Sequence, residues 1–323
     1  MKIEGDKSLS IRWALLASQA KGKSISYNLL KSEDVISTLN CLKRLGVKTI
    51  LKKNKCEIIG RGLNSFNFKK KIILNAGNSG TLARLLPGLL VHSKNEIIIK
   101  GDKSLSKRDF KRITEPLKKF GAKIKTNGGK LPMKINGTSN PKPIKYFETK
   151  GSAQCKSCVM LAALNTEGTT RIKAKVSRNH SELLFKYLRL PIKIKKVNNF
   201  DFININGKKN IKPFNYIIPS DISSSAFFIV LTALSSNSKL KIKSVNINPT
   251  RIGILKILKE MGVKIIIKNK KVLNGEKVGD LCVTSNQSLK PINCSPNLNS
   301  SAIDEFLLIF YFSIQKIIYC NFI

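Results

Sequence analysis

The sequence predicts an α/β fold in two domains, made by repeating one mixed unit of helices and strands. Two observations carry that prediction. First, apolar helical segments alternate with short β-branched runs across short links, the pattern of an α/β chain. Second, one element, a helix end turning into a strand, recurs four times. It reads LKRLGVKTI at Leu42–Ile50, LKKFGAKIK at Leu117–Lys125, YLRLPIKIK at Tyr187–Lys195 and LKEMGVKII at Leu258–Ile266. Its turn falls at Gly46, Gly121, Pro191 and Gly262, roughly every seventy residues, the spacing of a supersecondary repeat. Glycine there supplies a left-handed helix cap, and proline also stops a helix. A second string recurs as GDKSLSIR at Gly5–Arg12 and GDKSLSKR at Gly101–Arg108. A chain of 323 residues exceeds one small core, so two domains are expected.

In chain order, the polar start Asp6–Arg12 leads into an apolar helix expected at Trp13–Ala20. The helix Ser32–Leu45 follows, then strands near Thr49–Leu51 and Glu57–Ile59. The small-residue turn within Asn75–Gly80 opens a helix that runs to Leu90 and carries Arg84 one turn in. Strand Glu96–Ile99 precedes helix Lys107–Phe120. The helix Ser157–Leu164, the strand Thr170–Ala174 and the helix Ser181–Leu188 make the next unit. Helix Ala226–Leu234, strand Leu240–Lys243 and helix Arg251–Met261 make the last complete one.

The 59 Lys and Arg against 19 Asp and Glu give a formal net charge of +40, which points to an anionic partner. Nucleic acid, an anionic membrane and a phosphorylated small molecule all fit that sign. The lysines are spread through every strand and loop, with no long basic block, and accompany much Ile and Asn. That spread reads as a chain-wide compositional bias and argues against a nucleic-acid tail. The seven cysteines are scattered and imply no disulfide framework, as in a reducing cytosol. Cys155 and Cys158 form a C-x-x-C without a second pair, and read as two small residues on a buried helix face. The N-terminus, MKIEGDKS, is no signal peptide, and no apolar run before residue 306 could span a bilayer.

Five helix starts share one style. They are Asp6–Arg12, Asn78–Arg84, Leu105–Phe110, Gly151–Lys156 and Pro219–Ser225, and four of them carry Lys or Arg. Each could be an ordinary N-cap. Cations at a helix N-terminus oppose its dipole, however, so five such starts together point to a shared anion site. No G-x-x-x-x-G-K-[ST] and no strand-following G-x-G-x-x-G occurs. The only histidines are His92, which follows an apolar helix and reads as structural, and His180. His180 lies in a polar loop entering a helix and reads as an orienting hydrogen-bonder, with Asn179 or Ser181 as cap. Asp304 and Glu305 precede an apolar segment, where acids are usually caps, although a carboxylate facing cations could accept a proton.

The motifs GDKS, NSGTLAR, SAQCK, SRNHSE, SDISSSAFF, NPTRIG and IDE, in this order, resemble the EPSP synthase (3-phosphoshikimate 1-carboxyvinyltransferase) branch of the enolpyruvyl transferase family over about residues 4–307. SAQCK, RNHSE and NPTR are similar to its class II, glyphosate-tolerant form. The sugar-nucleotide (UDP-N-acetylglucosamine) enolpyruvyl transferase shares the fold but not this set. The resemblance implies two domains of βαβαββ units, an inside-out α/β barrel, with residues 7–220 in one and 1–6 plus 221–323 in the other. Helix N-termini of both would point at a cleft between them. It implies transfer of the enolpyruvyl group of phosphoenolpyruvate to the 5-hydroxyl of shikimate 3-phosphate, through a tetrahedral phosphoketal and with release of phosphate. No metal or organic cofactor is implied. A cytoplasmic monomer without nucleic-acid or membrane partners is expected.

By motif position the resemblance makes Lys7 a phosphoenolpyruvate ligand that also serves catalysis and shikimate 3-phosphate, with Ser8 and Arg12 gripping the latter. Asn78 and Gly80 would line the phosphoenolpyruvate side, and Arg108 would pair with its phosphate. Ser152 and Gln154 match substrate contacts, Gln154 reaching both molecules. Ser177 and Arg178 would hold the shikimate phosphate, and Asp304 would accept the proton of the 5-hydroxyl. After Phe306 the sequence reads LLIFYFSIQKIIYCNFI and no longer resembles the family, which continues with a Lys-Glu…Arg segment, a later Arg and a terminal Lys on phosphoenolpyruvate. An incomplete last domain, an uncovered apolar end and weak or absent activity of this chain by itself are therefore expected. A membrane tail at Phe306–Ile323 is the lesser alternative, because Gln315 and Lys316 interrupt it.

Overall fold

The computed structural model describes residues 1–68, 70–285, 289–315 and 320–322. The chain divides into two compact units, Lys7–Ile217 and a second made of Met1–Asp6 with Ile218–Ile323. The division thus falls at 217/218, where the sequence places it after residue 220.

The larger unit carries three repeats. The first holds α1 (Lys7–Ser18), β1 (Lys21–Tyr27), α2 (Glu33–Arg44), β2 (Lys48–Leu51) and β3 (Lys55–Arg61). The second holds β4 (Lys71–Asn75), α3 (Gly80–Leu90), β5 (Glu96–Lys100), the single turn α4 (Lys103–Ser106), α5 (Lys111–Lys119), β6 (Lys123–Asn127) and β7 (Lys130–Asn136). The third holds β8 (Lys145–Glu148), α6 (Ala153–Leu164), β9 (Thr169–Lys175), α7 (His180–Tyr187), β10 (Ile192–Val197) and β11 (Phe200–Asn206). Strand β12 (Asn215–Ile217) then returns to β1. The sheets run β12-β1-β3-β2, β4-β5-β7-β6 and β8-β9-β11-β10. In each the first two strands are parallel and the rest antiparallel, which is the βαβαββ unit. The first repeat takes its leading strand from the far end of the unit.

Helices lie inside and sheets outside. Helices α1, α3 and α6 are apolar nearly all round and buried along almost their whole length, as such helices must be. Strands β7 and β9 alternate exposed and buried residues, so the sheets of the second and third repeats each keep one wet face. Helices α3 and α6 approach closely at Gly88, where a Cβ would stand 2.3 Å from the Cys158 carbonyl.

Several helix starts differ from the sequence expectation. Helix α1 begins at Lys7 rather than Trp13, and α6 at Ala153 rather than Ser157. The polar residues that look like a leader are the first helical turns, because their polar groups find buried partners, as Arg12 and Lys156 do, instead of solvent. Helix α5 begins at Lys111 rather than Lys107. Asp102 caps the separate turn α4 through the Leu105 amide, which leaves Arg108 in the link between the two helices. The cap glycines Gly46, Gly121 and Gly262 have φ of +83°, +106° and +97°. In the third repeat the left-handed position is Arg189, φ +53°, and Pro191 lies two residues later.

The smaller unit contains α8 (Ile222–Leu234), β13 (Lys239–Asn246), α9 (Gly253–Glu260), β14 (Lys264–Leu273), β15 (Glu276–Thr284), β16 (Ile292–Cys294), α10 (Asn299–Ala302), α11 (Phe306–Gln315) and β17 (Cys320–Phe322). Its sheet runs β13-β15-β14, and β16 pairs with β17 in parallel. Helix α8 starts at Ile222 rather than Ala226, and α9 at Gly253 rather than Arg251. Ser220 bridges Gly5 on one side and Val245 on the other, which ties the N-terminal residues to this unit. The core gathers Ile222, Ile229, Ile242, Leu258, Leu281 and Phe312. Of the membrane-tail candidate, residues 316–319 and 323 lie outside the described residues. Among the described residues no helix is long and apolar enough to cross a membrane.

Candidate functional site

In the larger unit, the N-terminal turns of α1, α3 and α6 and the links beside them carry the candidate residues. Ser79 caps α3 by accepting the Leu82 amide, and Ser152 caps α6 by accepting the Cys155 amide. Those caps free the following residues to present side chains.

Around α3 three guanidinium groups converge. A Cβ at Gly80 would lie 2.9 Å from Arg108 Nη1 and 3.4 Å from Arg84 Nη1, so a larger residue there would push the Arg108 guanidinium aside. Arg84 Nη1 donates to Gln154 Oε1 at 2.8 Å, and Gln154 Nε2 donates to Thr81 Oγ1 at 3.0 Å. Burial, with the like charges of Arg108 and Arg112, holds the Arg84 guanidinium below its ordinary pKa. Arg112 Nη2 bonds Glu148 at 2.6 Å, and the other Glu148 oxygen accepts the Ser152 amide at 2.8 Å. Asn78 Nδ2 donates to Asp102 Oδ2 at 2.5 Å. Hydrogen bonds from the Leu105 amide and then from Asn78 hold the Asp102 carboxyl below its usual pKa. Three arginines stand close enough to repel one another, and among the described residues only Arg112 is ion-paired to a carboxylate at short range, Glu148, a balance of charge that favours an anion nearby.

Around α1 the second group forms. Arg12 is buried, and its Nε donates to Ser181 Oγ at 2.9 Å, its Nη2 to Ser157 Oγ at 3.3 Å and its Nη1 to the Ser8 carbonyl at 3.1 Å. Ser157 and Ser181 share a hydrogen bond of 2.7 Å. Gln154 and Ser157 stand one turn apart on α6, so that helix serves both groups. Gly151 backs onto the Val176 carbonyl, which sets the Ser152 turn beside the Ser177–Arg178 turn. The Ser177 hydroxyl is buried and has no hydrogen-bond partner among the described residues. Lys7 pairs with Asp34 on α2 at 3.0 Å, with its side chain about half exposed.

In the smaller unit, Asp304 accepts from Arg251 Nη1 at 2.7 Å, and Arg251 Nη2 donates to Ser223 Oγ at 2.7 Å. Ser223 in turn donates to Glu305. Burial works against the Arg251 charge, but Asp6, Glu305, Asp304 and Asp221 outweigh it and hold its pKa above the ordinary value. Asp304 remains half exposed at the rim of a cavity of about 440 Å³, lined also by Ser223, Phe227, Glu305 and Leu307.

Sequence reasoning named no individual substrate contact for Arg112, Thr81, Ser157 or Arg251, weighed Ser181 only as a cap and counted Arg84 only among the cations of the helix starts. All but Arg112 stand within or beside a motif it did use: Thr81 and Arg84 lie in NSGTLAR, Ser157 follows SAQCK, Ser181 lies in RNHSE and Arg251 ends NPTR. Cys155 and Cys158 are buried and free on α6.

The sequence pattern of the family described as EPSP synthase (3-phosphoshikimate 1-carboxyvinyltransferase) matches residues 1–310. This chain belongs to the EPSP synthase family. It is 40% identical over 311 residues to the 3-phosphoshikimate 1-carboxyvinyltransferase of Ruthia magnifica subsp. Calyptogena magnifica, spanning 96% of this chain and 70% of the relative. The enzyme of that name from Petrotoga mobilis is 41% identical over 308 residues, again across 70% of its length. A solved EPSP synthase from Acinetobacter baumannii superposes with a TM-score of 0.86 at 34% identity, covering 97% of this chain and 70% of that one.

Proposed function

We propose that this EPSP synthase family protein acts as a 3-phosphoshikimate 1-carboxyvinyltransferase. It joins the enolpyruvyl group of phosphoenolpyruvate to the 5-hydroxyl of shikimate 3-phosphate, giving 5-enolpyruvylshikimate 3-phosphate and inorganic phosphate. The observation that carries the assignment is the pairing of two cationic groups within one unit: Arg84 and Arg108 at Gly80, and Arg12 on the Ser157–Ser181 hydroxyl pair. Two anionic substrates need two such places.

In this reading Asn78, Gly80, Arg108 and Gln154 hold phosphoenolpyruvate, and Arg84 joins them. Ser8, Arg12, Ser152, Gln154, Ser177 and Arg178 hold shikimate 3-phosphate, and Lys7 serves both. Asp304 takes the 5-hydroxyl proton as the oxygen adds to the enolpyruvyl carbon bearing phosphate, while the methylene carbon gains a proton. Loss of that proton with phosphate restores the double bond. The reaction uses no cofactor, and the protein works as a monomer in the cytosol. The UDP-N-acetylglucosamine reading is not favoured, since the family match and the relatives bear the shikimate name.

Calorimetry on the full chain with shikimate 3-phosphate tests the reading. One saturable site is expected, weakened about 30-fold or more by Arg12→Ala, the scale for truncating one partner of a buried charged contact. Binding of nucleic acid alone, with a steep salt dependence, would instead make the +40 charge a polyanion-binding device. Phosphate release in the presence of both substrates separates turnover from binding alone.

A further inference from the structure

Behind Arg12 lies a buried charge cluster that the substrate assignments do not use. Lys156 on α6 is fully buried. Its Nζ stands 2.5 Å from Glu182 Oε1 on α7 and 3.6 Å from Asp201 Oδ2 on β11. Both carboxylates are themselves almost wholly buried. An ion cluster of this kind gains little stability over an apolar replacement, because desolvation offsets the attraction. Its value has to be sought in the geometry it enforces.

The sequence adjacency is informative. Lys156 precedes Ser157, and Glu182 follows Ser181. The pair α6–α7 is therefore joined by two neighbouring rungs, one ionic (Lys156–Glu182, 2.5 Å) and one of hydroxyls (Ser157–Ser181, 2.7 Å). The hydroxyl rung accepts both the Nε and the Nη2 of Arg12. Asp201 adds a third attachment, to the sheet. The rung that holds the substrate-facing arginine is thus fixed by the rung one residue behind it. Hydroxyls alone could slide or turn away, whereas two helices locked by a desolvated ion pair have one register.

We propose that Lys156, Glu182 and Asp201 are positioning residues that set the Ser157–Ser181 pair and through it the orientation of the Arg12 guanidinium. The proposal rests on the reading of Arg12 as a shikimate 3-phosphate ligand. It also gives the last residue of SAQCK and the last residue of RNHSE a shared task, since they pair with each other.

Lys156→Met alone would strand two buried carboxylates and could unfold the protein, so the test uses the apolar triple variant K156M/E182M/D201L. Its melting temperature is expected within a few degrees of the parent, as for other replaced buried ion clusters. The first readout needs no ligand. The Arg12 Nε–H resonance, assigned by its disappearance in Arg12→Lys, should exchange slowly with water in the parent and at least about tenfold faster in the triple variant. The second is a mutant cycle by calorimetry with shikimate 3-phosphate. Arg12→Ala should weaken binding strongly in the parent background and by less than about threefold in the triple variant, because the group it removes is already misplaced. Unchanged Nε–H exchange, or equal effects of Arg12→Ala in both backgrounds, would overturn the clamp. Absence of ligand binding by the parent would overturn the assigned substrate and leave the exchange measurement to decide the clamp.

Discussion

The inner helices of the two units invite comparison. In the larger unit α1, α3 and α6 bury nearly every residue against one another and their sheets. Helix α8 of the smaller unit is as apolar, yet Phe227 is 64% exposed and Leu231 62% exposed. On α11, Leu307 is 84% and Ile314 72% exposed. The difference lies in neighbours: α3 has Gly88 seated on α6, whereas Phe227 of α8 and Leu307 of α11 line a shared cavity and stay exposed. An apolar sequence states that a helix gains by burial, but only surrounding elements provide it. The smaller unit instead anchors its inner helix at the polar end. Asp221 caps α8 through the amides of Ser223 and Ser224, and Arg251 ties Ser223 to Asp304.

Removing that anchor is expected to have the largest effect. Arg251→Met leaves Asp304, Glu305, Asp221 and Asp6 without their shared cation, and should cost the smaller unit about 3–5 kcal/mol. Urea unfolding followed by a probe in that unit measures it, and a loss below about 1 kcal/mol would show that packing alone holds α8. Next comes the comparison itself. Leu15→Ala, at a fully buried α1 position, should destabilise by about 2–5 kcal/mol, while Leu231→Ala on α8 should change stability by less than about 0.5 kcal/mol. Similar costs at both sites would mean that α8 is covered in solution.

A pH effect separates the units further. Burial pushes His92, just beyond α3, down from its ordinary value to about 4. The folded state therefore resists protonation that the unfolded chain accepts near pH 6.5. Stability from this group is complete above pH 6.5, declines as the pH falls towards 4 and then levels. Melting of the larger unit should drop across that window, and His92→Gln should flatten the drop. An identical slope in the variant would assign the acid sensitivity to other groups. The smallest effect concerns the caps. Arg189→Gly relieves a left-handed residue and should stabilise the larger unit by about 0.5–1 kcal/mol, whereas Gly121→Ala should destabilise it.

Much of this architecture was legible in the residues. The repeat of helix end, glycine and strand located three of the four caps, and SAQCK, NSGTLAR and RNHSE marked turns that carry candidate groups. Helix starts were misplaced at Lys7 and Ala153 because polar N-terminal turns look like loops when their partners are out of view. Arg189 escaped notice for a related reason. It takes the left-handed position that glycine holds in the other repeats, whereas the proline two residues later offers a plausible local stop.

What the sequence determined by itself was everything written within one turn or one strand: alternation of elements, their repetition, capping types and the order of motifs. The tertiary structure alone decided which charges meet. Arg12 lies 169 residues from Ser181 and Arg84 lies 70 from Gln154, and such pairings depend on helix register across the core. The same holds for burial, since Leu231 sits in the more apolar helix yet is exposed, while Leu15 in α1 is fully buried by what folds against it.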